Sequence, residues 1–390
     1  MKTITWISYI LLAICFGAVS CRSAHDKELE KKLLGDWKVV KVGNFERDKN
    51  PNSKLSEEVV DKVYFYTIGN KQIGFVFYND GRCEDKQGFV SRKSEKELFL
   101  GNDTRYRVEN DSLRIWNPTD SIWIARRLIS INSDTLVLGF NGSYYLKLVK
   151  CHYPTSFTQS FDKIILCSQG GWGNDPIYCN SFDKWGRMIC AGRNDQPQEG
   201  FYYTSIGQEK YKQILLDFQK ANVDSLEETY DHYACDATVI TVSFIKGHKI
   251  YKTILDNGSV SPAEFIWAYS PYRYLFQQQK LQPLKSYPRI LDKIRFFYFE
   301  TRDKVLWLKQ SENFYLKTEL LQSKLTNASF EKRYTIRYYD QHEQEKQIFT
   351  DGRYYQYEEN KQTHILDLGY NFLLENNMIK RFKKKPLDYE

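Results

Sequence analysis

The chain has 390 residues, of which 42% are hydrophobic and 16% aromatic, and its net charge at pH 7 is +7. This length is sufficient for two or three domains, and the hydrophobic content is sufficient for buried cores. No segment of the sequence has low complexity. The many Tyr, Phe, Thr, Ile and Val residues favour a β-rich fold.

The N-terminus has the three parts of a bacterial export signal. Lys2 supplies a positive charge, residues 4–19 are almost entirely apolar or small, and small residues precede Cys21. The apolar stretch is shorter than the roughly 20 residues that span a bilayer. The run Ala18-Val19-Ser20-Cys21 resembles the lipobox of bacterial lipoproteins, in which the Cys is acylated and becomes the first residue. The resemblance implies a signal peptide at residues 1–20, a lipid on Cys21 and a tether at residues 21–30.

This N-terminus also predicts the location of the protein. Several acyl chains together anchor a protein stably to a membrane, whereas one does not. No acidic run follows Cys21, so we expect a lipid-anchored protein of the cell envelope, on the outer membrane and facing the periplasm rather than the cell surface. An ordinary secreted protein with an unrelated Cys is the alternative. An exported protein is not expected to bind nucleic acid, and we interpret the basic run at residues 380–385 as a solvated chain end.

Residues 31–150 contain short alternating runs separated by Asn, Asp and Gly turns. Examples are Phe75-Val76-Phe77-Tyr78 before Asn79-Asp80-Gly81, and Tyr106-Arg107-Val108 before Asn110-Asp111. Strands at this spacing predict an antiparallel meander, which at this length tends to close into a barrel.

The start of this segment carries a short motif, Gly35-x-Trp37. Together with the strands that follow, it resembles the lipocalin-like domains of bacterial lipoproteins. In that family the motif lies at the start of the first strand, and the resemblance implies that Trp37 packs at the closed end of the barrel, with Leu33 and Leu34 nearby.

Residues 151–283 read as an α+β domain. Strand patterns occur around Ile164, in two runs flanking the turn Asp183-Lys184-Trp185-Gly186, and in a hairpin around Gly247. Two helices are predicted, one after Gln208-Glu209 from its helical spacing of apolar residues and one at Ser261-Pro262 from its capping residues. The segment resembles a family of uncharacterised α+β domains found beside lipocalin-like domains. That resemblance implies a fold and a location but no activity.

Residues 284–390, which include the basic tail, are predicted to be a degenerate second copy of this α+β domain. Thr335–Gly352 aligns without gaps to Thr241–Gly258, and Leu291-Asp292-Lys293-Ile294 aligns to Phe161-Asp162-Lys163-Ile164. The hypothesis requires equivalent first strands and equivalent hairpins. The fold class is therefore mainly β plus α+β, and chance similarity between hairpins is the alternative to duplication.

The Cys residues cluster in the middle segment, and an oxidising envelope favours disulfides. A symmetric turn pairs Phe182 with Arg187 and places Cys179 opposite Cys190, so these two are the predicted disulfide. A bulge at Gly186 would shift the register and break this pairing. Unpaired thiols are the other alternative.

Evidence for chemistry in the sequence is sparse. His232 and Cys235 could contribute to a zinc site, but no CxxC pair accompanies them, so no metal or other cofactor is predicted. Gly170–Gly173 lacks the helix and Lys-Ser/Thr pair of a phosphate-binding loop and is interpreted as a plain turn. No catalytic residue is predicted.

Three functional hypotheses follow from these observations. The first is a non-enzymatic envelope lipoprotein for binding or scaffolding, with an unknown protein or a small apolar ligand as its partner. The second is a thiol- or metal-dependent hydrolase centred on the Cys-rich middle segment. The third is an inhibitor or immunity-like protein that occupies the site of a partner.

Overall fold

The computed structural model describes residues 23–50, 73–91, 97–140, 142–154, 159–170, 177–192, 200–231, 237–294, 296–339 and 344–385. The chain divides into two compact units. One comprises the residues up to Val90 with Leu100–His152, and the other comprises Ser91–Phe99 with the chain from Tyr153 onwards. The second and third segments of the sequence therefore belong to one unit.

The predicted tether, residues 21–30, is helical from Ala24 onwards. The side chain of Ser23 accepts a hydrogen bond from the backbone N–H of Asp26 at 2.9 Å and caps α1 (Ala24–Leu33). Leu29 and Leu33 of α1 are buried in the core of the first unit. Cys21 lies outside the described residues.

The first unit contains a closed barrel of eight antiparallel strands, which confirms the predicted architecture. The strands follow one another in chain order, and β1 pairs with β8 to close the barrel. The turn between β4 and β5 consists of Asn110 and Asp111, both with positive φ, as two-residue hairpin turns require. The elements are β1 (Gly35–Asn44), α2 (Phe45–Lys49), β2 (Gly74–Phe77), β3 (Arg82–Ser91), β4 (Leu98–Glu109), β5 (Ser112–Asn117), β6 (Ile122–Ile131), β7 (Thr135–Phe140) and β8 (Tyr144–Lys150).

Trp37 is fully buried in the barrel core with Leu33. Its indole N–H donates a hydrogen bond to the carbonyl oxygen of Leu33 at 2.6 Å, which ties α1 to the start of β1. The Lys150 ammonium lies 5.3 Å from the centroid of the Trp37 ring. Gly35 has a φ of +111°, and a Cβ there would lie 2.9 Å from the Lys150 side chain. The positive φ favours glycine at this position, whereas the Lys150 side chain could move aside.

The second unit contains two eight-stranded sheets. The first has the strand order β13-β15-β14-β9-β10-β11-β12-β16, antiparallel except for β13 beside β15. Its strands are β9 (Lys163–Ser168), β10 (Tyr178–Asp183), β11 (Arg187–Gly192), β12 (Tyr202–Ser205), β13 (Thr229–Asp231), β14 (Val239–Lys246), β15 (Lys249–Asn257) and β16 (Gln282–Pro283). The two predicted helices are present as α3 (Gln208–Lys220) and α4 (Ala263–Arg273), and they cover one face of this sheet.

The second sheet has the order β19-β23-β22-β21-β20-β17-β18-β24. Its strands are β17 (Tyr298–Glu300), β18 (Lys304–Trp307), β19 (Lys324–Leu325), β20 (Tyr334–Tyr339), β21 (Glu345–Thr350), β22 (Tyr354–Glu359), β23 (Gln362–Asp367) and β24 (Lys383–Lys384). The helices of this part are α5 (Ile290–Lys293), α6 (Gln310–Leu320) and α7 (Phe372–Glu375), and short 3-10 turns occur at Val223–Ser225, Leu275–Gln278 and Met378–Arg381.

Helix α6 lies between the two sheets. Its Phe314 and Leu316 share one buried cluster with Ile165 of the first sheet and Ile336 of the second. The same interface also contains polar side chains, since the hydroxyl oxygens of Ser243 and Ser311 lie 2.7 Å apart. Since α3 and α4 cover the opposite face, the first sheet is covered on both sides.

The predicted disulfide between Cys179 and Cys190 is wrong. Cys179 is bonded to Cys167, which lies directly opposite it on β9. The turn contains one residue more than a symmetric turn, so Phe182 pairs with Met188 and Cys179 pairs with Ala191. This shift places Cys190 on the other face of the sheet, in the core under α3 and α4.

Gly186 permits the longer turn. It has a φ of +77°, and a Cβ there would lie 2.3 Å from the backbone carbon of Gly207. The Asp183 side chain closes the same turn by accepting from the backbone N–H groups of Trp185 and Arg187 at 3.0 and 3.1 Å.

One of the predicted correspondences between the second and third segments is also wrong. Residues 291–294 belong to the helical turn α5 and its end, whereas their predicted counterparts lead into strand β9. The first strand of the third segment is instead β17, which begins at Tyr298. Arg289 and Pro288 precede α5, and the backbone N–H of Leu291 donates to the Pro288 carbonyl at 3.1 Å, which starts a helical turn rather than a strand.

The basic tail is not simply a solvated end. β24 pairs with β18 at the edge of the second sheet. The Arg381 guanidinium donates to both carboxylate oxygens of Glu312 at 2.8 Å, and the Lys385 ammonium donates to Glu300 at 2.8 Å. Both carboxylates are buried, so these two cations compensate charge inside the unit.

Candidate functional site

A cavity of about 340 Å3 lies in the second unit, between the first sheet and the helices α5 and α6. One wall is the face of β10 and β11 that carries Cys179 and Ala191, which lie opposite each other on the two strands. The remaining lining residues are Gln169, Gly170, Ile177, Tyr178, Gly192, Gly200, Phe201, Leu291, Asp292, Ile294, Phe296, Gln310, Asn313, Phe314 and Lys317.

Gln310 is the polar group of the cavity that most clearly lacks a partner. It is the first residue of α6 and is only 8% exposed. Its amide nitrogen donates to the carbonyl oxygen of Ser168 at 3.3 Å, which fixes the side chain against the end of β9. Its amide oxygen has no hydrogen-bond partner among the residues that the structure describes. A buried acceptor without a partner costs about 1–3 kcal/mol.

Asp292 and Lys317 bring opposite charges to the lining. The Tyr287 hydroxyl donates to both carboxylate oxygens of Asp292 at 2.9 Å. Burial, together with this carboxylate, raises the pKa of Tyr287, so the hydroxyl remains a donor. The Lys317 ammonium donates to the carbonyl of Ile294, which holds it across the end of α5.

The rest of the lining is apolar. The rings of Phe201 and Phe314 are stacked, with centroids 6.1 Å apart, and Phe201 also meets Tyr287 edge to face. The disulfide adds a further apolar surface, since Cys179 is 7% exposed and Cys167 is fully buried. The cavity can thus hold a small molecule with an apolar body and a hydrogen-bond donor.

Of the candidate site residues named from the sequence, Cys179 and Gly170 lie in this cavity, and so do Leu291, Asp292 and Ile294 of the predicted repeat. Burial raises the pKa of the Cys190 thiol to about 12, so it remains protonated in the core behind the sheet. Gly35 and Trp37 belong to the barrel. The remaining ones lie outside the described residues, namely Cys21, Gly171, Trp172, Gly173, His232 and Cys235.

Sequence reasoning missed the residues that give the cavity its polarity. Gln310, Asp292 and Lys317 belong to the third segment, which was predicted to be a degenerate second copy of the α+β domain and not a binding site. Asp292 had been named only as part of an alignment, and all three residues reach the Cys-bearing strands through the packing of α5 and α6. A single sequence contains no pattern that would have identified them.

Side chains of the described strands fill part of the barrel interior. Buried residues from most of its strands form one core, among them Trp37, Phe77, Val108, Leu138 and Leu148. A charged pair lies further along the interior, because Asp85 is opposite the core residue Phe75 and Arg126 is opposite the core residue Leu113. Burial raises the pKa of Asp85 to about 6 and lowers the pKa of Arg126.

In the described part of the chain, no group of three or more His, Cys, Asp or Glu residues is arranged to hold a metal ion. None of the helices described here combines the length and the apolar character needed to cross a bilayer.

The fold defines a mainly β protein with an eight-stranded antiparallel barrel followed by an α+β unit. Residues 162–276 match the model of a family described as a domain of unknown function (DUF6438). The match covers the strands β9–β15 and the helices α3 and α4, but not α5 and α6. No curated protein and no solved structure matches the chain.

Proposed function

We propose that this protein is a lipid-anchored binding protein of the bacterial cell envelope, without catalytic activity, that holds a small ligand in the cavity of its second unit. The observation that carries the proposal is the buried amide oxygen of Gln310, which faces no partner in the described part of the chain. The hydrophobic core in part of the barrel interior favours the second unit over the barrel as the binding site.

The lining defines the chemistry of this ligand. The Gln310 oxygen accepts a hydrogen bond, so the ligand carries an N–H or O–H donor. The stacked rings of Phe201 and Phe314 favour a planar apolar body. A volume of about 340 Å3 is that of a small-molecule site rather than of a groove for a folded partner.

Two probes that differ only in the donor test the proposal. Indole has an N–H group, and 1-methylindole has the same rings without it. We expect the full chain to bind indole about 2–10-fold more tightly than 1-methylindole, the usual contribution of one hydrogen bond. Gln310→Leu, which removes the acceptor, should abolish this preference. Equal binding of both probes by the wild-type chain, or no binding of either, would argue against the site.

The lipid anchor remains a prediction from the sequence, and we include it in the proposal. Cys21→Ala should prevent acylation and either release the protein from the membrane or leave its precursor uncleaved. Metabolic labelling with a fatty acid and a carbonate wash of the membranes measure this. A Cys21→Ala protein that stays in the membrane fraction and still carries labelled acyl chains would show that the anchor lies elsewhere.

Duplication of the α+β module is also part of the proposal. The strand order β15-β14-β9-β10 in the first sheet has the same form as β21-β20-β17-β18 in the second, and in each case a helix precedes the second hairpin. The hairpins also agree in register over Thr241–Phe244 and Thr335–Tyr338, since Thr241 is opposite Leu255 and Thr335 is opposite Phe349. A bulge after Phe244 occurs only in the first of the two described hairpins. Both observations support a common origin.

The two modules are then unequal in function. The first supplies the disulfide and the sheet wall, and the second supplies Gln310 and Asp292. Sequence profiles built separately from relatives of residues 151–283 and of residues 284–390 test the duplication. Profiles that align along β14–β15 and β20–β21 would support it, and profiles with no similarity there would count against it.

A further inference from the structure

We infer that the disulfide between Cys167 and Cys179 is a site of thiol–disulfide exchange with low-molecular-weight thiols that enter the cavity. The inference rests on the proposed function only in using the same cavity. It goes beyond that function because it assigns a covalent reaction to the wall of the site.

The two sulfurs of this bond differ in their access. Cys179 lines the cavity and is 7% exposed, whereas Cys167 is fully buried. Ala191 lies opposite Cys179 on β11 and also lines the cavity, and its small side chain leaves the approach to Cys179 open. An incoming thiol therefore meets the sulfur of Cys179 and not that of Cys167.

The other sulfur lies beside the start of a helix. Cys167 is opposite Thr241 on β14, and the Thr241 hydroxyl accepts a hydrogen bond from the backbone N–H of Ser311 at 3.0 Å. Gln310 donates to the carbonyl of Ser168, the residue after Cys167. The first turn of α6 thus packs on the face of β9 that carries Cys167, and the N-terminal end of a helix stabilises negative charge on a departing sulfur.

The exchange follows from this asymmetry. The thiolate of the small molecule attacks Cys179 Sγ, a new S–S bond joins the two, and the bond between Cys179 and Cys167 breaks. The electron pair leaves on Cys167 Sγ, which takes up the proton lost by the incoming thiol. A second molecule of thiol then displaces the first from Cys179 as a small-molecule disulfide. Two thiols are oxidised and one protein disulfide is reduced to two thiols.

The remaining thiol in this sheet serves as an internal control. Cys190 directly precedes the cavity residue Ala191 in the sequence. Its side chain nevertheless points into the core on the opposite face of the sheet and is 1% exposed. A reaction that depends on the cavity must therefore modify Cys179 and spare Cys190.

The test uses the full chain and cystamine, the disulfide of cysteamine. In Cys167→Ser the Cys179 thiol has lost its partner, and we expect it to form a mixed disulfide with cysteamine that peptide mass spectrometry locates on Cys179. Adding Ala191→Trp, which fills the approach, should slow this reaction by about tenfold or more, because access governs exchange rates. Cys190→Ser should leave the rate unchanged.

A second measurement covers the case in which Cys167→Ser fails to fold. The wild-type chain is treated with cysteamine and quenched with acid, and the inference predicts a transient mixed disulfide on Cys179 and none on Cys167. An adduct on Cys167, equal modification of Cys190, or a folded protein whose disulfide resists millimolar cysteamine would overturn the inference. Indole binding without exchange would refute the exchange alone, and exchange without indole binding would refute the proposed ligand chemistry alone.

Discussion

Cys167 lies directly opposite Cys179 on β9 and β10, and their disulfide forms part of the buried face that packs against α6. The bond joins residues 12 positions apart in the chain. It therefore links two neighbouring strands at the cavity and restricts a short loop of the unfolded chain.

Replacing both Cys167 and Cys179 by Ala should lower the free energy of unfolding of the second unit by about 3 kcal/mol, the value expected for a loop of this length. Urea denaturation followed by far-UV circular dichroism measures the change. Wild-type protein held in excess reductant should approach the stability of the double variant. A non-reduced peptide map that linked Cys179 to Cys190 would contradict the structure.

Trp37→Ala should destabilise the barrel by about 3–5 kcal/mol, because it removes a fully buried indole and its hydrogen bond to Leu33. Trp123 is only partly buried, so Trp123→Ala is the matched control and should cost clearly less. Thermal and urea unfolding of the two variants provide the comparison. Equal decreases in the free energy of unfolding of the two variants would mean that Trp37 does not stabilise the barrel more than Trp123 does.

Arg381→Ala should destabilise the second unit by about 1–3 kcal/mol, because it leaves the Glu312 carboxylate buried without its paired cation. Lys380 is the adjacent cation and is exposed, so Lys380→Ala should change stability by less than about 0.5 kcal/mol. Chemical denaturation of both variants at neutral pH measures the difference. A solvated tail would give two small and similar effects.

Asp85→Asn should stabilise the barrel at neutral pH. The folded state raises the pKa of Asp85 to about 6, so it binds a proton more tightly than the unfolded chain does. The stabilisation from protonated Asp85 is therefore lost as the pH rises from about 4 to about 6. Above that range the buried carboxylate lowers the free energy of unfolding by its full amount. The variant should exceed the wild type by about 1–3 kcal/mol at pH 7.5 and match it near pH 4.

The exposed residue Asp103 supplies the control for this experiment, since Asp103→Asn should have little effect at either pH. Urea denaturation at the two pH values is the measurement. A destabilised Asp85→Asn at pH 7.5 would show that attraction between Asp85 and Arg126 outweighs the cost of burial.

Local patterns were sufficient to predict much of the fold. Alternating runs and tight turns predicted the barrel, because each strand buries one face and pairs with its neighbour in sequence. The apolar spacing of Ile214 and Phe218 predicted α3 for the same reason. Thr241 is opposite Leu255 in the first hairpin and Thr335 is opposite Phe349 in the second, and duplication of the module stays a prediction.

The other features depend on contacts that no local pattern encodes. One extra residue in the turn at Gly186, an alternative that the sequence left open, reversed which face Cys190 occupies. The pairing of Arg381 with Glu312 joins residues that are distant in sequence. The cavity likewise forms only when Gln310 meets the end of β9.

Binding of indole to the full chain, measured by isothermal titration calorimetry, tests the central claim most directly. The matched variants are Ala191→Trp, which places a large ring in the cavity, and Ala125→Trp, which adds the same ring at an exposed position of the barrel. The account predicts saturable binding at one site by the wild-type chain and by Ala125→Trp, and none by a folded Ala191→Trp. Equal binding by Ala191→Trp and the wild type would place the ligand elsewhere and contradict the account.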